Sequence, residues 1–401
     1  MAVRRPWLAF AALSFLYFLV SAGTFNALGV VLPAMVGELH WSWKEAGLGY
    51  ALLGVACGLT SLAAAGSIRR YGVRLTLLAG GAMLAGGFAA MALTYSVWVY
   101  LAAASVIGVA FSFCTSVPGT YVLTAIFERR STIVGAYFTL GALGGVAGPK
   151  LVTTLSALTG WRGFWWAFVA ASLAVSGFAA LASPNHVEHA PGVDIPPDQV
   201  GPGRLMKAVR EQTVRRALAA PQFYVIVGAY TMYMLINTTA HGFAVEHLIE
   251  RGATPGAAAD VLSFEALIGA AVSAIGGIAG ERVSAKTLLI ICLVSLIGGM
   301  AALAFAHGPL LMAAFAVGVG VGFGLSFVAA TMLLLGYFGR GVYLELYSIM
   351  CLVSTLAALG PALGGWARDA AGGFQGVFLI CALAALIMLA ATTMMKRPAD
   401  A

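Results

Sequence analysis

Long apolar runs separated by short basic turns recur from one end of this chain to the other. They fall at 7–36, 45–67, 74–95, 97–126, 132–157, 161–183, 221–248, 255–280, 287–306, 309–337, 342–367 and 374–395. Every run is long enough for an α-helix rising 1.5 Å per residue to cross a hydrocarbon layer of ~30 Å. Several exceed that need and must tilt, bend or reach beyond the bilayer. The pattern predicts an all-α membrane protein with twelve transmembrane helices. The longest polar stretch, 184–219, divides them six and six. It opens with Pro184, Pro191, Pro196, Pro197 and Pro202, which read as a linker, and continues at 204–218 as a basic amphipathic helix suited to an anionic membrane surface. The predicted layout is an N-terminal six-helix bundle at 1–183, a cytoplasmic linker at 184–219 and a C-terminal six-helix bundle at 220–401, the two bundles being pseudo-symmetric.

Composition sharpens this reading. Hydrophobic residues make up 61% of the 401 and charged residues 9%, whereas a soluble domain carries about 25% charged residues to cover its core. The net charge of +7 does not point to nucleic acid, because the basic residues cluster in turns of alternating strength. Seventeen of the 22 fall on one side of the predicted membrane; Lys44, Arg162, Arg251 and Arg368 fall on the other, and Lys150 lies within a span. The richer side is the cytoplasmic one, so both termini are expected there, in an inner (plasma) membrane. The five cysteines sit inside apolar runs with neither metal nor disulfide spacing. The first run is too long for the core of a signal peptide and reads as a retained span.

The halves also resemble each other. Gly66, Arg69, Arg70, Gly72 and Arg74 mark the turn that closes the second run; Gly277, Glu281, Arg282 and Lys286 mark the one that closes the eighth. The fifth run carries Gly144, Gly148 and Pro149; the eleventh carries Gly360, Pro361, Gly364 and Gly365. Glycine and proline loosen a helix, so Gly144, Gly148, Pro149, Gly360 and Pro361 are candidate hinges, close packing being the plainer reading of any single glycine. Gly108 and the series Gly318, Gly320, Gly322 and Gly324 mark the fourth and tenth runs. Six plus six spans with a long central connection is a common plan among secondary transporters.

These features resemble the major facilitator superfamily over nearly the full length. The turn at 277–286 matches that family's loop signature (glycine, three residues, acid, arginine, one residue, glycine, one residue, basic) except for Ser284 at the second glycine. The first-half copy has Ala65 for the first glycine and Arg69 for the acid. Within the family, Gly29 to Trp41, Phe127 to Gly135 and Gly160-Trp161-Arg162 are similar to the monocarboxylate and oxalate-formate porters. That resemblance implies alternating-access transport of a small organic anion. Ser273 stands where that group usually has an arginine, and Met350 lies near a lysine found in some oxalate-type members.

Ionisable groups inside a bilayer cost a few kcal/mol at a helix centre and are generally retained for function. Lys150 follows Pro149, about 10 Å inside the outer end of its span at 1.5 Å per residue. There it meets a substrate carboxylate or snorkels to the interface. Glu265 lies near mid-depth in the eighth span, where it exchanges a proton or forms a structural hydrogen bond. Asn237 and His241, one helical turn apart, are candidates for substrate binding or proton relay. Asn26, Thr115, Tyr121 and Tyr347 are weaker candidates for cavity lining; Arg340 and Glu345 sit where gating or solvation is expected. No phosphate-cradling loop, metal-ligand set or nucleophile–base pairing is visible. The expectation is a monomeric, proton-coupled carrier with no cofactor and no enzymatic activity, whose partners are substrate, proton and membrane lipid; an exporter of drugs or other amphipathic compounds is the alternative. Green fluorescent protein fused to the C-terminus should fluoresce in cells, while alkaline phosphatase fused there should be inactive. The opposite pattern overturns the predicted orientation.

Overall fold

The computed structural model describes residues 6–41, 43–185, 213–358, 360 and 373–397. Its helices are α1 (Pro6–Gly23), α2 (Phe25–Leu39), α3 (Trp43–Ala92), α4 (Val97–Cys114), α5 (Ser116–Ile126), α6 (Arg130–Ala182), α7 (Pro221–Glu250), α8 (Pro255–Ala279), α9 (Ala285–Ala304), α10 (Pro309–Phe338), α11 (Tyr343–Ser354) and α12 (Gln375–Met394), with a 3-10 turn at Thr355–Ala358 after α11. No strand occurs among the described residues. Of the linker's predicted amphipathic helix, the described part is Thr213–Ala219, which meets the next helix at a 71° bend. Pro361 and most of the linker lie outside the described residues.

Among the described residues nine helices are long and apolar enough to cross a membrane, ten if the bent pair is counted. The fold is that of an all-α membrane protein, and the predicted runs account for how the helices divide. The apolar part of α3, Leu48–Ala92, is 45 residues long, or about 68 Å of helix at 1.5 Å per residue. That is twice a bilayer core, so α3 crosses, reverses and crosses again. The reversal is one residue, Gly72, with φ 87° and ψ 171°. Gly160 does the same in α6, at φ 72° and ψ 170°. Positive φ at these values is open to glycine and strained for other residues, which is why each expected loop shrinks to one position.

Two other runs are broken in mid-course. The fourth divides into α4 and α5 at Thr115 (φ −115°, ψ −114°). Pro118, four residues beyond Cys114, has no N–H for the Cys114 carbonyl, so the helical ladder stops there. The first divides at Thr24, beside Gly23, where a Cβ would stand 2.3 Å from the Phe168 ring.

The chain packs as two compact units: Met1–Phe127 with Ala136–His186, and Glu128–Gly135 with Val187–Ala401. In the first, α3 runs along α4, while α1 touches α2, α4 and α5. The α6 glycines pack onto α1: a Cβ at Gly144 would stand 2.2 Å from the Phe18 carbonyl oxygen, and one at Gly148 2.5 Å from that of Ala22. In the second unit, α10 is flanked by α8 and α9, and α7 touches α8, α11 and α12. The α10 glycines serve two faces. Gly320 and Gly324 lie against α8, and Gly318 and Gly322 against α9. Because Gly144 meets backbone rather than a movable side chain, Gly144→Ala should force α1 and α6 apart. A loss of about 1–3 kcal/mol is expected, read as a lowered melting temperature in detergent. An unchanged melting temperature would show that this contact gives way freely.

Candidate functional site

The polar centre of the second unit lies where α7 faces α8. His241 and Asn237 are one turn apart on α7, and the His241 Nδ1 stands 2.9 Å from the Asn237 backbone oxygen. A carbonyl only accepts, so Nδ1 carries the hydrogen of this bond. The other ring nitrogen, Nε2, is then directed to Glu265 on α8, 3.4 Å from Oε2. The Glu265 side chain is 1% exposed, while that of His241 is 44% exposed. Among the described residues neither Glu265 oxygen accepts a hydrogen bond within normal reach, and His241 is its ion-pair partner. Glycine holds the acid in place: a Cβ at Gly320 would stand 2.6 Å from the Glu265 backbone oxygen. Further along α8, the Ser273 hydroxyl donates to the Gly324 carbonyl at 3.1 Å, so the position where the porter group carries arginine is occupied by a helix-to-helix bond.

The other predicted positions sort into distinct roles. Asn237 is half-buried, with its backbone oxygen committed to His241. Its neighbour Thr238 ties α7 to the turn after α11, donating to the Ala357 carbonyl at 3.0 Å. Gly360 lies against Thr239 of the same helix. Tyr347 is buried on α11 beside the Tyr343 ring. In the first unit, Lys150 is exposed on α6. Thr115 is fully buried at the α4–α5 break, its hydroxyl donating to the Phe111 carbonyl at 2.6 Å. Tyr121 is buried, with the Arg69 guanidinium 5.8 Å from its ring centre. The side chains of Asn26 and Pro149 lie outside the described residues.

The two basic turns share a device. In the first, the Val73 N–H donates to the Asn185 carbonyl at 2.9 Å and Arg74 Nε to that of Ser183 at 3.0 Å. In the second, Lys286 Nζ donates to the carbonyls of Thr393 and Met395 at 2.9 and 2.7 Å. Each thus places a cation on the open carbonyls at the end of the last helix of its half, the favourable sign for a helix C-terminus. Arg70 lies over the Tyr71 ring, 5.2 Å from its centre. Glu281 does different work. Its Oε1 accepts from the Thr132 N–H at 3.0 Å and hydroxyl at 3.2 Å, capping α6. Gly277 and Gly135 approach so closely that a Cβ on Gly277 would stand 2.8 Å from the Gly135 Cα.

One cluster escaped the sequence reading. Glu38, at the end of α2, accepts from Trp161 Nε1 at 2.6 Å and from Arg162 Nη1. The Arg162 guanidinium lies 4.7 Å from the Tyr95 ring centre and 4.1 Å from that of Trp161. It joins Gly29–Trp41 to Gly160–Arg162, two segments noted above for family likeness. The available signal was charge: Glu38 and Arg162 are an isolated acid and an isolated cation at the basic-poor ends of their spans.

With this geometry in view, comparison with known proteins decides the family. The sequence model of the Major Facilitator Superfamily matches residues 13–249. The chain belongs to the Major Facilitator Superfamily. Membership makes it a multi-pass membrane transporter rather than an enzyme. Among solved structures, a point variant of the Escherichia coli fucose:proton symporter FucP matches with a TM-score of 0.74 at 14% identity, over 98% of this chain and 100% of that one. FucP in an outward conformation matches with a TM-score of 0.71 at 16% identity, over the same shares. At these identities the likeness concerns fold. No curated protein sequence matches the chain.

Hydrogen bonds from Arg162, and then from Trp161, hold the Glu38 carboxyl below its ordinary value of 4.5. A depressed carboxyl adds stability that is present above its unfolded-state value and lost as pH falls through the lower folded one. Glu38→Gln should therefore melt below wild type at neutral pH, and the two should converge on acidification below about pH 4.5. A gap that persists in acid would assign the effect to the geometry of the cluster instead of its charge.

Proposed function

We propose that this transporter is a secondary carrier of a small organic anion, a monocarboxylate by class, moved together with a proton by alternating access between bundles at 1–183 and 220–401, with both termini in the cytoplasm. The observation that carries the reading is the His241–Glu265 pair. With Nδ1 fixed as a donor, the pair is neutral when it holds one proton between Nε2 and the carboxylate. A second proton leaves a neutral acid beside an imidazolium, and that cation belongs to the more exposed partner. Proton uptake therefore creates a positive group able to attract a carboxylate, and a bound carboxylate favours the extra proton. Binding of the two is mutually reinforcing, as symport requires. Lys150, exposed on α6, is the first unit's own candidate for attracting a carboxylate. The fucose:proton symporter offers a precedent for proton coupling on this fold, and the family likeness of Gly29–Trp41 and Phe127–Gly135 supports a monocarboxylate. Gly144, Gly148, Pro149, Gly360 and Pro361 are the positions where bundle movement would be absorbed.

In proteoliposomes with an imposed pH gradient, Glu265→Gln should cut accumulation of a radiolabelled short-chain monocarboxylate at least about tenfold, the effect of ~1.4 kcal/mol. Exchange between equal pools of substrate should persist. Lys150→Ala should abolish uptake in a protein that still inserts and folds. Full gradient-driven accumulation by Glu265→Gln removes the acid from coupling, and normal uptake by Lys150→Ala removes the lysine from binding. The second reading, a proton-coupled exporter of drugs or other amphipathic compounds, is favoured by Ser273, whose hydroxyl is committed to Gly324 where a carboxylate carrier would gain from a cation. Stabilisation of the purified protein by lipophilic cations and by no carboxylate would decide for it.

A further inference from the structure

Apart from the α7–α8 pair, the second unit contains a cavity of about 770 Å³ where the start of α6 meets the end of α8 and the basic turn that follows. Its wall changes character along its length. Ile275 and Ile278 lie one turn apart near the end of α8, and each is 63% exposed. Arg282 follows Ile278 by four residues, and Arg129 is the residue before α6, so two arginines line the same hollow as the isoleucines. The acid between them is already engaged. Glu281 accepts from the N–H and hydroxyl of Thr132, so the start of α6, a ready anion site, is filled by an internal carboxylate. Among the described residues neither Arg129 nor Arg282 forms an ion pair.

A free anion would satisfy the arginines and leave the isoleucines unused. An alkyl chain would do the reverse. We propose that this cavity binds an anionic phospholipid, its phosphate between Arg129 and Arg282 and an acyl chain along Ile275 and Ile278. Two arginines beside exposed isoleucines at the end of an apolar helix match an anionic head group and its hydrocarbon together. The same hollow is lined by Glu281 and Thr132, so a bound lipid stiffens the contact between residues 129–132 and the turn after α8.

The test uses the full-length protein in detergent, titrated separately with dioleoyl phosphatidylglycerol, dioleoyl phosphatidylcholine and inorganic phosphate. Phosphatidylglycerol should raise the melting temperature by about 2–4 °C, and phosphatidylcholine and phosphate should leave it near its starting value. The double variant Arg129→Gln with Arg282→Gln should lose that rise. An equal rise in the double variant, or the same rise from inorganic phosphate, overturns the proposal. If the double variant does not fold, a diazirine-bearing phosphatidylglycerol on the wild-type protein decides: cross-links should fall within 129–132 or 275–282, and cross-links confined to other segments overturn it. Neither readout depends on transport, so failure of the carrier reading and failure of the lipid site are told apart.

Discussion

Close approach between helix backbones governs this structure. Lipid gives two helices no hydrophobic reason to associate, so association depends on packing and on interhelical hydrogen bonds. Here glycine provides the packing. On α10, Gly320 and Gly324 admit α8 while Gly318 and Gly322 admit α9, so one helix serves as a spacer of minimal width for two neighbours. On α6, Gly144 and Gly148 admit α1 in the same way. The position of Glu265 follows from this arrangement. The acid is buried because its own backbone is pressed against Gly320, and it faces His241 because α7 flanks the same helix.

Much of the architecture was legible in the residues. The apolar runs and basic turns carried the helices, because a membrane allows few ways to satisfy a backbone. Glu265 and His241 stand out singly, as ionisable groups in apolar runs must. Their pairing does not, since which faces of α7 and α8 meet depends on how two helices cross. Lys150 shares a comparable depth with Glu265 along the sequence, and depth says nothing of azimuth. The Glu38–Arg162 clasp is hidden for a related reason: Gly160 turns the chain within one residue, and the direction of that turn brings Trp161 and Arg162 to the end of α2. The breaks at Thr24 and Thr115 illustrate the limits of pattern. Pro118 marks the second, whereas no proline lies near the first.

Cations on the basic-poor side are scarce, and two of them are committed to structure. Arg162 is committed to Glu38 and two aromatic rings. Arg251 reaches the Ala304 carbonyl, His307 and Gln375, tying the ends of α7, α9 and α12 together. Charges that weaken a topology signal are tolerable when local partners absorb them. On the richer side, Arg74 and Lys286 repeat one another in separate halves, each on the carbonyls that end its sixth span. Each copy of this fastener closes on its own half.

The one-residue reversals at Gly72 and Gly160 have a practical corollary. A reversal without slack leaves a protease no extended strand to grip and gives an inserted epitope nowhere to sit without tearing a helix end. Labels, cleavage sites and fusion joints belong elsewhere on this molecule, and homologues that lengthen either corner must first rebuild the helix ends around it.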